Sequence, residues 1–338
     1  MSIIIPKKIK AGDTLGIISP SSGLAGLFKH RIDRGINSLR NMGFEIKEFK
    51  TTRTVKDWSS GTPEERAKDL MDAFSDKNVN GIICTIGGNT ANQMLPYLDF
   101  KKISKNAKFF CGYSDISVLH YAIYTKARLQ TFYGPCVMVQ FAEFPKPFEY
   151  TLKYFKKAAM ENGSINRIEP SLKWTDEILD WDTKKDLKRA RKMIDNKGYV
   201  WLRKGRANGP ILGGCLSSIV HLRGTQYWPD HKNKILMLEL PEGQKFDEGE
   251  PLQNVDAYLT DLKLSGVFDK IVGMIFGRPF KYSNKETEKL KKIILENTKD
   301  YDFPILFGAD IGHTDPQLTI PLGAVTQIDS ERNLFKIV

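Results

Sequence analysis

The segment KFFCGYSDISVLHYAIY, residues 108–124, passes from an apolar strand through a glycine into a helix within a few positions. Phe109, Phe110 and Cys111 form the apolar run, Gly112 ends it, and Ile116, Leu119 and Ile123 then recur at helical spacing. Ser114 stands at the turn between the two elements. Such a turn pushes a hydroxyl clear of the backbone and toward the positive end of a helix, which suits a nucleophile. The same position suits a serine that merely caps the helix. The local residues leave both readings open.

The strand, turn and helix unit recurs along the first half. TLGIISP (14–20) is an apolar run ending in the loop SPSSG (19–23), and the helix after it places Ile32, Ile36, Leu39 and Met42 on one face before Gly43 stops it. FEIKEF (44–49) alternates as a strand does. Thr62 opens a further helix, with Pro63 at its first position and Glu65 placed for a capping box. VNGIICTIGG (79–88) is a buried strand running into a glycine turn. Repeated units of this kind imply a parallel sheet with helices on both faces. In such sheets function collects at the loops leaving the carboxyl ends of the strands, here SPSSG, IGGN (86–89) and GYSD (112–115). Their glycines let the backbone approach a ligand and leave amides free to donate. None of them carries the GxGxxG or GxxxxGK[ST] pattern, which excludes a dinucleotide or P-loop reading.

A chain of 338 residues is too long for one ordinary core, so two domains are expected. With 41% hydrophobic and 27% charged residues it reads as a soluble globular protein. The start, MSIIIPKKIKAGD, turns polar at once and no apolar segment is long enough to cross a bilayer, so a cytoplasmic location without a membrane partner is expected. Cys84, Cys111, Cys136 and Cys215 are scattered among apolar runs with no CxxC pair, and the five histidines are as sparse. That predicts reduced, buried thiols, with no metal and no other cofactor. The net charge of +11 invites a nucleic-acid reading, but the lysines are spread over polar helix faces such as RIDRGINSLRNMG (31–43) and ETEKLKKIILENTKD (286–300). Even the dense stretch KKDLKRARK (184–192) reads as a solvated face, and no nucleic-acid partner is expected.

From about residue 150 the pattern weakens. The aromatic and charged section LKWTDEILDWDTKKDLKRARK (172–192) has no sustained period. GPILGGCLSSIVHL (209–222), KILMLEL (234–240), a helix around VDAYLTDLKL (255–264), IVGMIFGRP (271–279) and a helix at 285–298 then read as a second α/β domain with a larger antiparallel share. The expected organisation is a first domain over 1–165, a connector over 166–206 and a second domain over 207–338.

A nucleophilic Ser114 would need a base, and the base an orienting carboxylate. His313, in the loop of GADIGHTDPQLTIPLG (308–323), is the best-placed imidazole; His120 lies on the helix after Ser114, and His30, His221 and His231 sit in polar or helix-end settings. Glu239 ends the apolar run KILMLEL, where a carboxylate is costly unless it has a partner. That partner is a histidine if the site is catalytic, or a lysine at the strand end if it is not. Glu242, just beyond, reads as a loop residue.

The stretches IKAGDTLGIISPSS (9–22), GTPEERAKDLMDAFSD (61–76), IICTIGGNTANQMLPYLDF (82–100), CGYSDISVLH (111–120), TFYGP (131–135), GPILGGCL (209–216), ILMLELPE (235–242) and IGHTDPQLTIPLG (311–323) together resemble the LD-carboxypeptidase family of serine peptidases, and within it the branch of the microcin C immunity proteins. They span nearly the whole chain in family order. The resemblance implies a flavodoxin-like parallel-sheet amino-terminal domain with a swivelling β/α carboxyl-terminal domain, a homodimer, and a site at the domain interface. It implies Ser114 as nucleophile, His313 as base and Glu239 as its orienter, with the backbone amides of Gly88 and Asp115 as the oxyanion hole. The branch cleaves the bond joining a carboxyl-terminal aspartate to a modified adenylate, so the implied partner is a small peptide or peptidyl-nucleotide. Asn89 and the aromatic loop with Trp174 and Trp181 are then substrate-binding candidates, Trp181 foremost for stacking on a base. Other members remove D-alanine from murein tetrapeptides, which is the alternative, and a non-catalytic nucleotide- or peptide-binding protein is the second. Cys215 stands where relatives commonly have asparagine, which bears on substrate preference rather than on the triad.

Overall fold

Five parallel strands carry the first half of the chain: β1 (Thr14–Ile18), β2 (Glu45–Glu48), β3 (Gly81–Cys84), β4 (Phe109–Gly112) and β5 (Phe132–Tyr133), in the spatial order 2-1-3-4-5. This is the flavodoxin-like order, and its direction reverses between β1 and β3, where ligand crevices form outside the carboxyl ends of strands. In the computed structural model, which describes residues 3–338, the chain divides into two compact units. The first comprises the chain up to Asn162 with Leu179–Arg191 and Leu318–Pro321; the second comprises Gly163–Ile178, Lys192–Gln317 and Leu322–Val338. Both are α/β, as the periodicity implies.

In the first unit the sheet is buried on both faces, Ile17, Ile82, Ile83, Phe109 and Phe110 being 0–1% exposed, because helices cover each side. The helix Lys29–Asn41 buries Ile32, Ile36 and Leu39, and Gly43 leaves it at φ +92°, a left-handed conformation natural to glycine. The helix Pro63–Ser75 starts with the expected capping box: Glu65 N–H donates to Thr62 Oγ1 at 3.2 Å and Thr62 N–H to Glu65 Oε2 at 3.0 Å. It lays Phe74 on Phe110 of the sheet, ring centroids 6.2 Å apart. Beyond residue 150 the helix Glu149–Ala159 continues this layer and buries Tyr154, Phe155 and Ala158. The strand Ile320–Pro321 adds antiparallel to β5.

In this division residues 166–206 are shared out between the units. Leu179–Arg191 joins the first because Asp186, buried in the middle of the basic stretch, accepts from Arg31 at 3.0 Å and faces His30 at 3.3 Å and Arg34 at 3.6 Å, all on the helix Lys29–Asn41. The flanking parts join the second, where Asn166–Arg167 and Val200–Arg203 form the two edges of its sheet. A run dense in lysine hides one carboxylate that anchors it, and no periodicity announces such an anchor.

The second unit is built on an eight-stranded mixed sheet. Its long strand Arg206–Cys215 pairs antiparallel with Val325–Asp329 through Pro210 and parallel with Ile235–Glu239 from Ile211 onward. Gly277 of Gly273–Gly277 and Ala309 of Ile305–Ala309 complete the parallel part, which ends near Glu239. Gly213 is required there, since a methyl at its Cα would run into the backbone of Met237. The helices Leu252–Leu264 and Asn284–Asn297 cover this sheet, the second opened by a capping box of Ser283 and Glu286. Among the described residues no helix is long and apolar enough to cross a membrane.

Replacing Thr62 with alanine removes one half of the capping box and should cost about 1 kcal/mol of stability, read as a lower urea midpoint at unchanged slope.

Candidate active site

At the carboxyl end of β4 the backbone does something a capping serine does not require. Tyr113 is extended at φ −145°, and Ser114 then adopts φ +64°, a left-handed conformation that a non-glycine residue holds only when its surroundings enforce it. Ser114 is the first residue of the short 3-10 turn Ser114–Ile116; the capping position belongs to Tyr113, which makes no side-chain cap bond. Ser114 N–H donates to Tyr133 Oη at 3.3 Å and its carbonyl accepts from Ser117 Oγ at 2.6 Å. His120 braces the turn from below, its Nε2 at 2.9 Å from Gly112 O and its Nδ1 at 2.8 Å from Thr131 Oγ1. Burial lowers its pKa to about 4. A carbonyl only accepts, so Nε2 carries the proton and His120 is a neutral structural imidazole.

The turn after β3 lies directly on this serine. A methyl at Gly87 would sit 2.8 Å from Ser114 Oγ and 3.2 Å from Asp115 N, so only glycine admits the contact. Gly88 follows at φ +148°, where a methyl would collide with Ser21 Oγ. Ser22 N–H donates to Gly87 O at 3.1 Å, and Asn89 is exposed at the tip. Ser22 Oγ is buried with no hydrogen-bond partner among the described residues. The loops SPSSG, IGGN and GYSD are thus one assembly. The side chains that tie it together, Ser21, Arg66 and the carboxylate of Asp115, carry no motif or period in the sequence that marks them for this role.

In the second unit Glu239 ends its strand fully buried, and His313 Nδ1 lies 2.7 Å from its Oε2. Glycines make room for the pair: Gly312, at φ +96°, passes so close that a methyl would collide with the Glu239 carboxylate, and a methyl at Gly277 would lie 2.9 Å from its Cβ. Gln317 Nε2 donates to Gly312 O at 2.7 Å, and Asp315 exchanges backbone bonds of 2.9 and 2.7 Å with Thr175, which together fix the loop. With Nδ1–H directed at Glu239, the other ring nitrogen, Nε2, is turned toward Glu242. Glu242 is more than a loop residue: its Oε2 lies 3.3 Å from His313 Nε2. Burial works against the charged ring, but Glu239, Glu242 and Asp315 more than offset it and push the pKa of His313 up to about 9.

The two tryptophans fall in different units. Trp181, in the first, packs its edge on Phe28 at 5.4 Å with the Arg31 guanidinium over its ring at 4.6 Å. Trp174, in the second, lies over Arg278 at 4.8 Å, whose Nη2 pairs with buried Asp310 at 2.8 Å. Cys215 is buried beside Glu239, its register partner. The other cysteines are buried and free, and no group of three or more His, Cys, Asp or Glu among the described residues could hold a metal ion.

Known proteins match the chain along its length. The profile of the LD-carboxypeptidase N-terminal domain covers residues 15–134 and that of the C-terminal domain residues 208–328. The microcin C7 self-immunity protein MccF of Escherichia coli is 31% identical over 338 residues, 99% of this chain and 95% of that protein. The solved structure of MccF in complex with aspartyl sulfamoyl adenosine superimposes with a TM-score of 0.90 at 30% identity, covering 99% of this chain and 98% of that one. A probable murein peptide carboxypeptidase of Bacillus subtilis is 27% identical over 322 residues, 94% of this chain and 89% of that protein.

The raised pKa has a measurable sign. The stabilisation from the charged ring is fully present below its ordinary value of 6.5 and is lost as the pH rises through about 9. Ring resonances of His313 followed by NMR should titrate near 9, and Glu239→Gln should bring the midpoint down toward or below 6.5.

Proposed function

The chain belongs to the LD-carboxypeptidase family, and we propose that within it the protein is a serine carboxypeptidase that cleaves the amide-type bond between a carboxyl-terminal, aspartate-like amino acid and a nucleotide. The observation that carries the chemistry is the 2.7 Å pair between His313 and the buried carboxylate of Glu239. An imidazole held through Nδ1 by a carboxylate is what a serine nucleophile needs to lose its proton, and with the ring's pKa raised to about 9 it acts as base in the fraction of molecules whose Nε2 is deprotonated, so turnover should rise with pH toward about 9.

In this reading Ser114 Oγ attacks the carbonyl carbon of the scissile bond as His313 Nε2 takes the hydroxyl proton. The tetrahedral oxyanion is met by the amides of Gly88 and Asp115; losing one such donor typically costs a factor of about 100 to 1,000 in rate. His313 then gives its proton to the leaving nitrogen, the bond breaks, and an acyl-enzyme remains on Ser114. Water, deprotonated by His313, attacks the ester and releases the acid and the free serine. Glu239 keeps the ring in the tautomer this requires and balances the imidazolium. No step calls for a metal or another cofactor.

The nucleotide half of the proposal is supported by the likeness to MccF bound to aspartyl sulfamoyl adenosine. Asn89 at the glycine turn and Trp181 and Trp174 as aromatic surfaces are the candidates to hold such a substrate. The likeness to a murein peptide carboxypeptidase supports a second reading, removal of D-alanine from a tetrapeptide by the same three residues. The proposal extends to a homodimer acting in the cytoplasm, which sedimentation velocity and cell fractionation test.

Offered an aspartyl sulfamoyl adenosine and a murein tetrapeptide side by side, the wild-type protein should release aspartate, detected by mass spectrometry. Ser114→Ala should lower turnover by about 10⁴ to 10⁶ while leaving the far-UV spectrum unchanged. Release of D-alanine alone would replace the first reading with the second, and equal turnover by Ser114→Ala would overturn both.

A further inference from the structure

Two charged side chains lie buried beneath the three loops of the first unit, and the proposed chemistry uses neither. Arg66, on the helix Pro63–Ser75, is 1% exposed. Its Nη1 donates to Pro20 O at 2.7 Å, Thr90 O at 3.0 Å and Thr90 Oγ1 at 3.2 Å, its Nε to Gly61 O at 3.1 Å, and its Nη2 to Gln93 Oε1 at 2.9 Å. One planar group thus spans the loop after β1, the loop before its own helix and the loop after β3. The carboxylate of Asp115, 3% exposed, accepts through one oxygen from Ser21 Oγ at 2.6 Å and Ala91 N at 2.8 Å. Ser21 Oγ gives its proton to Asp115 and in turn accepts from Thr90 N at 3.1 Å.

These bonds grip the Gly87–Asn89 turn at both ends. Ser22 N–H holds Gly87 O at 3.1 Å, and the bonds to Thr90 and Ala91 hold the exit. Between the grips the turn rests on Ser114, with no more than a glycine hydrogen to spare. A buried guanidinium or carboxylate is tolerated only while its bonds are intact, so displacing the turn would strand both charges. A solvent-exposed glycine turn without such ties would sample many conformations. Rigidity here has a use, because donors to an oxyanion work by being in place before the charge appears.

We infer that Asp115, Ser21 and Arg66 are positioning residues which, through their side chains, hold the amides of the Gly87–Asn89 turn at a set distance from Ser114 Oγ. Asp115 therefore serves twice, with its amide toward the oxyanion and its carboxylate toward the loop that supplies the other donor. The inference rests on the reading of Ser114 as nucleophile. It does not depend on which substrate is cleaved.

Ser21→Ala deletes one oxygen atom and is the decisive variant; Asp115→Asn keeps the shape and puts an amide where two donors point. The measurements are kcat and KM on whichever substrate the wild type turns over, inhibition by a boronic acid analogue of that substrate, and the melting temperature. Misplacement of a donor by about an ångström costs about 100-fold. Each variant should therefore lose about 10- to 100-fold in kcat and the same factor in boronate affinity, with KM within about twofold. A merely structural role would move the melting temperature or KM but would not make kcat and boronate affinity fall together. Wild-type kcat and boronate affinity in a folded Ser21→Ala or Asp115→Asn protein overturns the inference. A wild type that hydrolyses nothing and is not labelled at Ser114 by a fluorophosphonate overturns instead the reading on which it rests.

Discussion

One hydrogen atom's width separates the turn after β3 from the Ser114 hydroxyl, and much of the first unit is arranged around that contact. A methyl at position 87 would lie 2.8 Å from Oγ, nearer than non-bonded carbon and oxygen can come. The contact exists because β3 and β4 are neighbours in a parallel sheet, so that both of their carboxyl-terminal loops emerge on the same edge. It is held because Ser114 is kept at φ +64° by its bond to Tyr133 and by the bracing of Gly112 through His120. A residue in that conformation carries about 1–3 kcal/mol of strain, which the packing of the surrounding helix and strands offsets.

In both units, buried ionised groups are found surrounded by several partners rather than one. Arg66 is spread over backbone carbonyls of separate loops, Asp186 gathers Arg31, Arg34 and His30, and Asp310 joins Arg278 to the Ser171 hydroxyl and amide. Such groups add little net stability, because desolvation consumes most of the attraction. What they provide is geometry, since a fully satisfied buried polar network rigidifies the elements it joins. His313 belongs to the same class, with Glu239 on one nitrogen and Glu242 near the other, and its elevated basicity follows from that crowding. The contrast with His120 is instructive. The partly buried His313 ring faces carboxylates and is pushed up to about 9, while the fully buried His120 ring faces a carbonyl and a hydroxyl and falls to about 4.

The sequence by itself determined the parts that depend on neighbours in the chain. Apolar runs ending in glycine, helical periodicity, the Thr62 capping box and the placement of Gly43 announced the parallel α/β pattern, because propensity, capping and burial of one face are local matters. The carboxylate at the end of KILMLEL marked Glu239 by its cost in an apolar strand, and the motifs shared with LD-carboxypeptidases marked Ser114 and His313. Tertiary structure alone decided the rest. That Ser114 is held left-handed and not used as a cap, that Asp186 pulls residues 179–191 to the first unit, that Glu242 lies beside His313, and that Arg66 and Asp115 bind three loops together all depend on contacts between residues distant in sequence. A charged residue in a polar stretch looks solvated until the fold surrounds it, since burial is a property of the packed chain and leaves no period or motif behind.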